Sequence, residues 1–133
     1  MVNKRRSGHA LLVALIVLVL VASAGALVAT HFGVRARLLA QEARRIHLAA
    51  MADAVISESL AHLAQSSTFA GVSNQEFGGG TISSEISSLP DNRREILASA
   101  SYRGWTRQVR VQVWLKTGGL EVESWSPLPL ANR

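Results

Sequence analysis

At 133 residues, with no cysteine, the chain is too short for two sizeable cores and cannot be held together by disulfides. Its formal charge of +5 includes Lys4, Arg5 and Arg6 at the N-terminus. The rest is close to balanced, so net charge alone argues for no nucleic-acid partner.

The first element follows directly on those cations. Lys4-Arg5-Arg6-Ser7-Gly8 stands against an apolar run from Ala10 to Ala29 that holds no charged residue. A helix of about 20 such residues covers the roughly 30 Å hydrocarbon core of a bilayer. Only Ser23 and Gly25 interrupt the Leu, Val and Ala. The basic residues ahead of the run orient it with its N-terminus in the cytoplasm. The expectation is a single-pass inner-membrane protein whose residues after His31 lie outside the cytoplasm, in the periplasm.

The helical pattern continues past the membrane. From Val34 to about Gln65 there is neither Pro nor Gly, and Leu48, Ala52, Val55, Ile56, Leu60 and Leu63 recur at spacings of three and four, with Ser59 beside Leu60 on the same stripe. These positions are predicted to form the packing face of an amphipathic half-helix. Arg37, Gln41, Arg44, Arg45, Asp53 and Glu58 occupy its other face. Gly25 and Gly33 are the points at which the helix could bend.

Ser66 to Gly80 reads as a loop with Phe69, Val72 and Phe77 as anchors. The period then changes to two. Thr81–Ser87, Glu95–Arg103 and Thr106–Lys116 are predicted strands, with Pro90-Asp91-Asn92 as a turn and Ile96, Ala98, Ala100 and Tyr102 on one face. Taking Gly118-Gly119 as a two-residue hairpin loop pairs Lys116 with Glu121, Leu115 with Val122, Trp114 with Glu123 and Gln112 with Trp125. Val109, Val111, Val113, Leu115, Leu120 and Val122 then face a core, while Arg110, Gln112, Trp114, Lys116, Glu121, Glu123 and Trp125 face away. The predicted class is α+β, a long N-terminal helix packed on a small C-terminal antiparallel sheet. The division is 1–8 leader, 9–30 transmembrane half-helix, 31–66 amphipathic half-helix and 67–133 loop and sheet.

A short basic leader ending at Gly8, the text His9-Ala10-Leu11-Leu12-Val13-Ala14-Leu15-Ile16, an amphipathic continuation to Leu63 and a C-terminal sheet resemble the type IV pilin and type II secretion pseudopilin class. The likeness is greatest to PilX-type minor pilins and K-type minor pseudopilins. It covers residues 4 to about 65 well, and the sheet only in layout. The resemblance implies cleavage between Gly8 and His9 by a prepilin peptidase, a membrane aspartic protease. It also implies that the protein is a structural subunit and not an enzyme, without cofactor or metal. Its implied partners are other pilin or pseudopilin subunits, the peptidase, the inner-membrane assembly platform and membrane lipid. Two positions depart from the family pattern. His9 stands where a large apolar residue is usual, and Val13 stands where the fifth mature residue is usually Glu. In the family that carboxylate offsets a neighbouring subunit's N-terminal amine inside an apolar filament, where an unpaired charge is costly. K-type subunits also lack it, which goes with a place at the filament tip. The expectation is therefore a minor subunit that primes or caps a filament.

Two rival readings use the same residues. Ala22-Ser23-Ala24 is an A-x-A signal-peptidase site, and an uncut apolar run would make a plain membrane anchor. Elsewhere, chemistry is scarce. His31, His47 and His62 lie 15 or 16 residues apart, not at the spacing of a helical metal site. No nucleophile motif accompanies the serines, and Gly78-Gly79-Gly80 lacks the lysine and helix of a phosphate cradle. Arg93, Arg94, Arg103, Arg107 and Arg110 interleave with Tyr102, Trp105 and Trp114, a pattern that could contact DNA through phosphates and stacking, with Arg107, Arg110 and Trp105 as the candidate contacts. The competing reading is a solvated strand face with aromatics at subunit contacts. Arg35, Arg37, Arg44 and Arg45 follow the span and could pair with acidic partners or lipid headgroups.

Overall fold

The computed structural model describes residues 4–132, with side chains from Gly8 to Leu130. The elements are α1 (Lys4–Gln65), β1 (Gln75–Phe77), β2 (Gly80–Leu89), β3 (Arg93–Tyr102), β4 (Trp105–Lys116), β5 (Gly119–Pro127) and β6 (Ala131–Asn132). The chain divides into two compact units, Met1–Glu42 and Ala43–Arg133.

The first unit is helix throughout its described part. α1 begins at Lys4, so the described residues ahead of the apolar run are helical too, as befits a stretch of Lys and Arg without Pro. It continues through Gly25 and Gly33. Every side chain from Gly8 to Glu42 is exposed, Leu11 and Leu27 by more than 70%. The two hydroxyls inside the run turn back on the backbone: Ser23 Oγ donates to the Val19 carbonyl at 2.7 Å, and Thr30 Oγ1 to the Ala26 carbonyl at 2.8 Å. Satisfied in this way, neither needs water. This is one helix long and apolar enough to cross a membrane, and it is compatible with a membrane anchor.

In the second unit the remainder of α1 lies on one face of an antiparallel sheet with strand order β1-β2-β3-β4-β5 and β6 also paired to β4. The molecule is α+β. Leu48, Met51, Ala52, Val55, Ile56 and Leu63 from the helix meet Ile82, Ile96, Ala98, Ala100, Val109, Val111 and Val113 from β2, β3 and β4, and all are 3% exposed or less. Leu60 is half-buried against the same cluster. Each large apolar side chain removed from water here contributes about 1.5–3 kcal/mol. The small side chains of Ala52, Ala98 and Ala100 let helix and strands approach closely.

Local sequence explains three of the turns. Gly78-Gly79 has φ of 60° and 80°, and Arg103-Gly104 has 49° and 79°, the paired positive values of a type I′ hairpin turn. Asp91 and Asn92 at 61° and 58° fill the turn after Pro90, residues that tolerate this conformation.

The β4–β5 hairpin differs from the expectation. Lys116 pairs with Gly119, Leu115 with Leu120, Trp114 with Glu121 and Val113 with Val122, so the loop is Thr117-Gly118 and not Gly118-Gly119. Gly118 at φ 106° takes the left-handed turn position, while Gly119 shows no positive φ and joins the strand. Beyond Val122 the register shifts, and Gln112 pairs with Ser124 and Val111 with Trp125. Glu123 is the extra residue of this β-bulge. The bulge moves Trp125 to the helix side of the sheet, where it is 46% exposed, and Val122, expected in the core, is 45% exposed. Lys116 and Glu121 still pair, as diagonal neighbours.

The segment expected as loop is also partly ordered on the sheet. Val72 exchanges backbone hydrogen bonds with Ser84 at 3.1 and 2.8 Å, Ile86 N donates to the Ala70 carbonyl at 3.1 Å, and β1 pairs with β2. The open edge of β2 supplies partners that weak local β propensity did not announce.

Candidate functional site

The features with functional content fall into an apolar helix face, a polar sheet face and one end of the second unit. In the first unit, Gly8 and His9 sit within α1, both exposed, and nothing lies within 4 Å of where a Gly8 Cβ would be. The side chains of Lys4, Arg5 and Arg6 lie outside the described residues. No Asp, Glu, Lys or Arg occurs in the 28 residues from Ser7 to Val34, about 42 Å of helix, which matches a bilayer with its headgroup layers. Val13 is half exposed on this surface. Its neighbours are equally uncovered, so the helix carries apolar area that only lipid or other helices can cover.

The packing residues Leu48, Ala52, Val55, Ile56, Leu60 and Leu63 serve the interior of the second unit. They hold the sheet to this part of α1. Two polar groups join them. Ser59 and Ser84, at 0% and 8% exposure, place their hydroxyls 2.7 Å apart, and Val72 N donates to Ser84 Oγ at 3.0 Å. Ser59 was visible as an exception on the apolar stripe, but its partner was not.

On the sheet face away from the helix the charges pair among themselves. Arg110 Nε is 3.6 Å from Glu95, Gln112 donates to Glu95 at 3.4 Å, and Arg93 is 3.1 Å from Glu123. Arg93 and Lys116 also stand over the Trp114 ring, at 5.8 and 4.6 Å from its centroid. A shallow cleft of about 490 Å³ on this sheet includes Asn74, Ser83, Glu85, Ser99 and Gln108 in its lining. It holds no histidine or cysteine to activate a serine. Among the described residues, no group of three or more His, Cys, Asp or Glu side chains converges as a metal site would require.

The three residues singled out for DNA do not share a face. Arg110 lies on the outer face with Glu95, whereas Trp105 and Arg107 lie on the helix side, opposite Tyr102 and Ala100 respectively. There they belong to a different cluster. The Arg44 guanidinium stands 5.5 Å from the Trp105 ring centroid, and that of Arg103 5.2 Å from the Tyr102 centroid. The His47 ring is 4.5 Å from that of Tyr102, and its Nε2–H donates to the Gly78 carbonyl at 2.7 Å. No signal in the sequence joined Arg44 to Trp105, because only the folded sheet brings α1 beside the β3–β4 turn.

Fold and surfaces together define an α+β protein in which an exposed apolar half-helix precedes a half-helix covered by an antiparallel sheet. Comparison with protein-family models, curated proteins and solved structures gives no match.

Proposed function

We propose that the chain is a minor pilin-like or pseudopilin-like structural subunit that primes or caps assembly of a type IV pilus or type II secretion pseudopilus. The observation that carries this reading is the uninterrupted exposure of α1 from Gly8 to Glu42, directly behind the Lys4–Gly8 leader and ahead of the sheet-covered half. A helix of this kind can be stored in the bilayer and then exchange lipid for a bundle of like helices when an assembly platform extracts it. Cleavage between Gly8 and His9 would free the helix end. Val13 leaves no carboxylate to pair with the amine of a following subunit, which suits a tip position. The chain itself would contribute packing and surface, with no reaction of its own.

The test is the mature N-terminus, determined by mass spectrometry of the protein expressed with and without a prepilin peptidase. A peptidase-dependent start at His9 is expected. A start at Gly25 would replace this reading with an exported domain behind a signal peptide, and an intact N-terminus in both strains would replace it with a plain membrane anchor. Gly8→Val, which puts a stiff branched side chain at the residue before the cut, is expected to abolish processing.

A further inference from the structure

We infer that the end of the second unit at which the chain enters is a docking surface for anionic phospholipid headgroups. Phe77, Tyr102, Trp105, Arg44, Arg103 and Arg107 form it. The inference rests on the apolar run of α1 being a membrane span, and it is independent of the pilin-like reading.

Contacts make this end continuous. Through its hydrogen bond His47 joins the Gly78 carbonyl to the Tyr102 ring beside it, Tyr102 pairs across the hairpin with Trp105, and Arg44 caps the Trp105 ring. Phe77, beside the turn, is 45% exposed. Arg107 follows Trp105 on the same side of β4. None of Arg44, Arg103 and Arg107 forms an ion pair among the described residues, and the Nε of Arg107 is buried without a hydrogen-bond partner. On the outer face the arrangement is the reverse, for Arg93, Arg110 and Lys116 each have a glutamate. Three arginines stand here against Glu42, the carboxylate two residues before Arg44 in the chain. Glu76 pairs with Thr81 on the opposite side of β1–β2, and Asp53 and Glu58 lie further along α1.

Chemistry and reach select the partner. Aromatic rings with polar or cationic neighbours suit the bilayer interface, where ring bodies meet the acyl boundary and guanidinium groups meet phosphates. Only nine residues, 35–43, separate the last residue of the uncharged run from Arg44. Even fully extended they reach about 32 Å, so this end stays within reach of the headgroups. The β3–β4 turn adds a second argument. A type I′ turn favours Asn or Gly at its first position, yet Arg103 holds that place at φ 49°, a local strain that puts a cation at the tip. Duplex or single-stranded nucleic acid would need a longer cationic track, and Arg110, the residue that would extend this one, faces the other way.

The experiment uses the full chain with Trp105 as its only tryptophan, after Trp114→Phe and Trp125→Phe at two exposed positions. It is reconstituted into vesicles of phosphatidylcholine alone or mixed with phosphatidylglycerol, each carrying a headgroup spin label that quenches nearby fluorescence. Trp105 is expected to be quenched in the anionic vesicles, and quenching should be lost in phosphatidylcholine alone and at high salt. Each cation near such a surface is worth about fivefold in the docking equilibrium. Arg103→Asn, which suits the turn better and leaves folding intact, should weaken docking about fivefold, and Arg44→Gln with Arg103→Asn about 30-fold. Quenching that ignores lipid charge, or none at all in protein that floats with the vesicles, overturns the proposal. So does a Trp105 response to a DNA oligonucleotide in place of anionic lipid, which would assign the surface to nucleic acid. Protein that does not float removes the membrane span and this inference with it, whatever its mature N-terminus.

Discussion

Ser59 has no exposed surface, and its hydroxyl lies 2.7 Å from that of Ser84 across the helix–sheet junction. A buried hydroxyl without a partner loses its hydration for nothing, whereas a paired one contributes about 1 kcal/mol net. Ser84 Oγ also accepts from Val72 N, so it anchors the 70–72 segment as well as the helix. Ser59→Ala is therefore expected to destabilise the second unit by about 1 kcal/mol, and Ser84→Ala by about 2 kcal/mol, because the latter strands Ser59 and weakens the segment's hold. The double variant should cost less than the sum, since removing both hydroxyls leaves no orphan at that pair. Urea unfolding of the full chain in micelles, followed by near-ultraviolet circular dichroism, measures this. Strict additivity would show that the two hydroxyls do not act as a pair.

At the scale of elements, the β4–β5 hairpin gives the sharpest contrast between neighbours. Gly118 holds φ at 106° and Gly119 begins β5. A side chain in the left-handed region costs about 1–2 kcal/mol, so Gly118→Ala should be destabilising by that amount. Gly119→Ala has nothing within 4 Å of the new Cβ, and it should be neutral or stabilising by about 0.5 kcal/mol through the unfolded chain. Comparable losses at both positions in thermal unfolding would return the loop to Gly118-Gly119. The same hairpin shows where sequence reading stops. The alternation of Ile96, Ala98 and Ala100, or of Val109, Val111 and Val113, is local, so the core face of β3 and β4 could be read directly. The bulge at Glu123 leaves no local mark and depends on which residues β4 offers in pairing. β1 and the 70–72 segment likewise exist because the edge of β2 is open. For the candidate surfaces, the basic stretch and the apolar run behind it were legible as contiguous composition. The cluster of Arg44, Tyr102, Arg103 and Trp105 was not, because residues far apart in the chain compose it.

For the whole molecule, the two units rest on different sources of stability. The helix from Gly8 to Val34 closes its own backbone hydrogen bonds and exposes no Asp, Glu, Lys or Arg side chain, so lipid can cover it without help from the sheet. The second unit depends on a single core in which Ile56 has no exposed surface. Ile56→Asp puts a carboxylate among Ala and Val side chains with no cation in the core cluster. The cost is about 4 kcal/mol or more, against a total of about 5–15 kcal/mol for a domain. Full-length Ile56→Asp is thus expected to lose near-ultraviolet circular dichroism and trypsin resistance in the region of Arg93 to Lys116, while still floating with lipid vesicles after alkaline extraction. Retained membrane association with a collapsed sheet means that the apolar helix alone supplies the anchor. If the variant instead leaves the membrane fraction, insertion needs the folded sheet, and α1 is then not the self-sufficient span that its composition and its bonded hydroxyls describe.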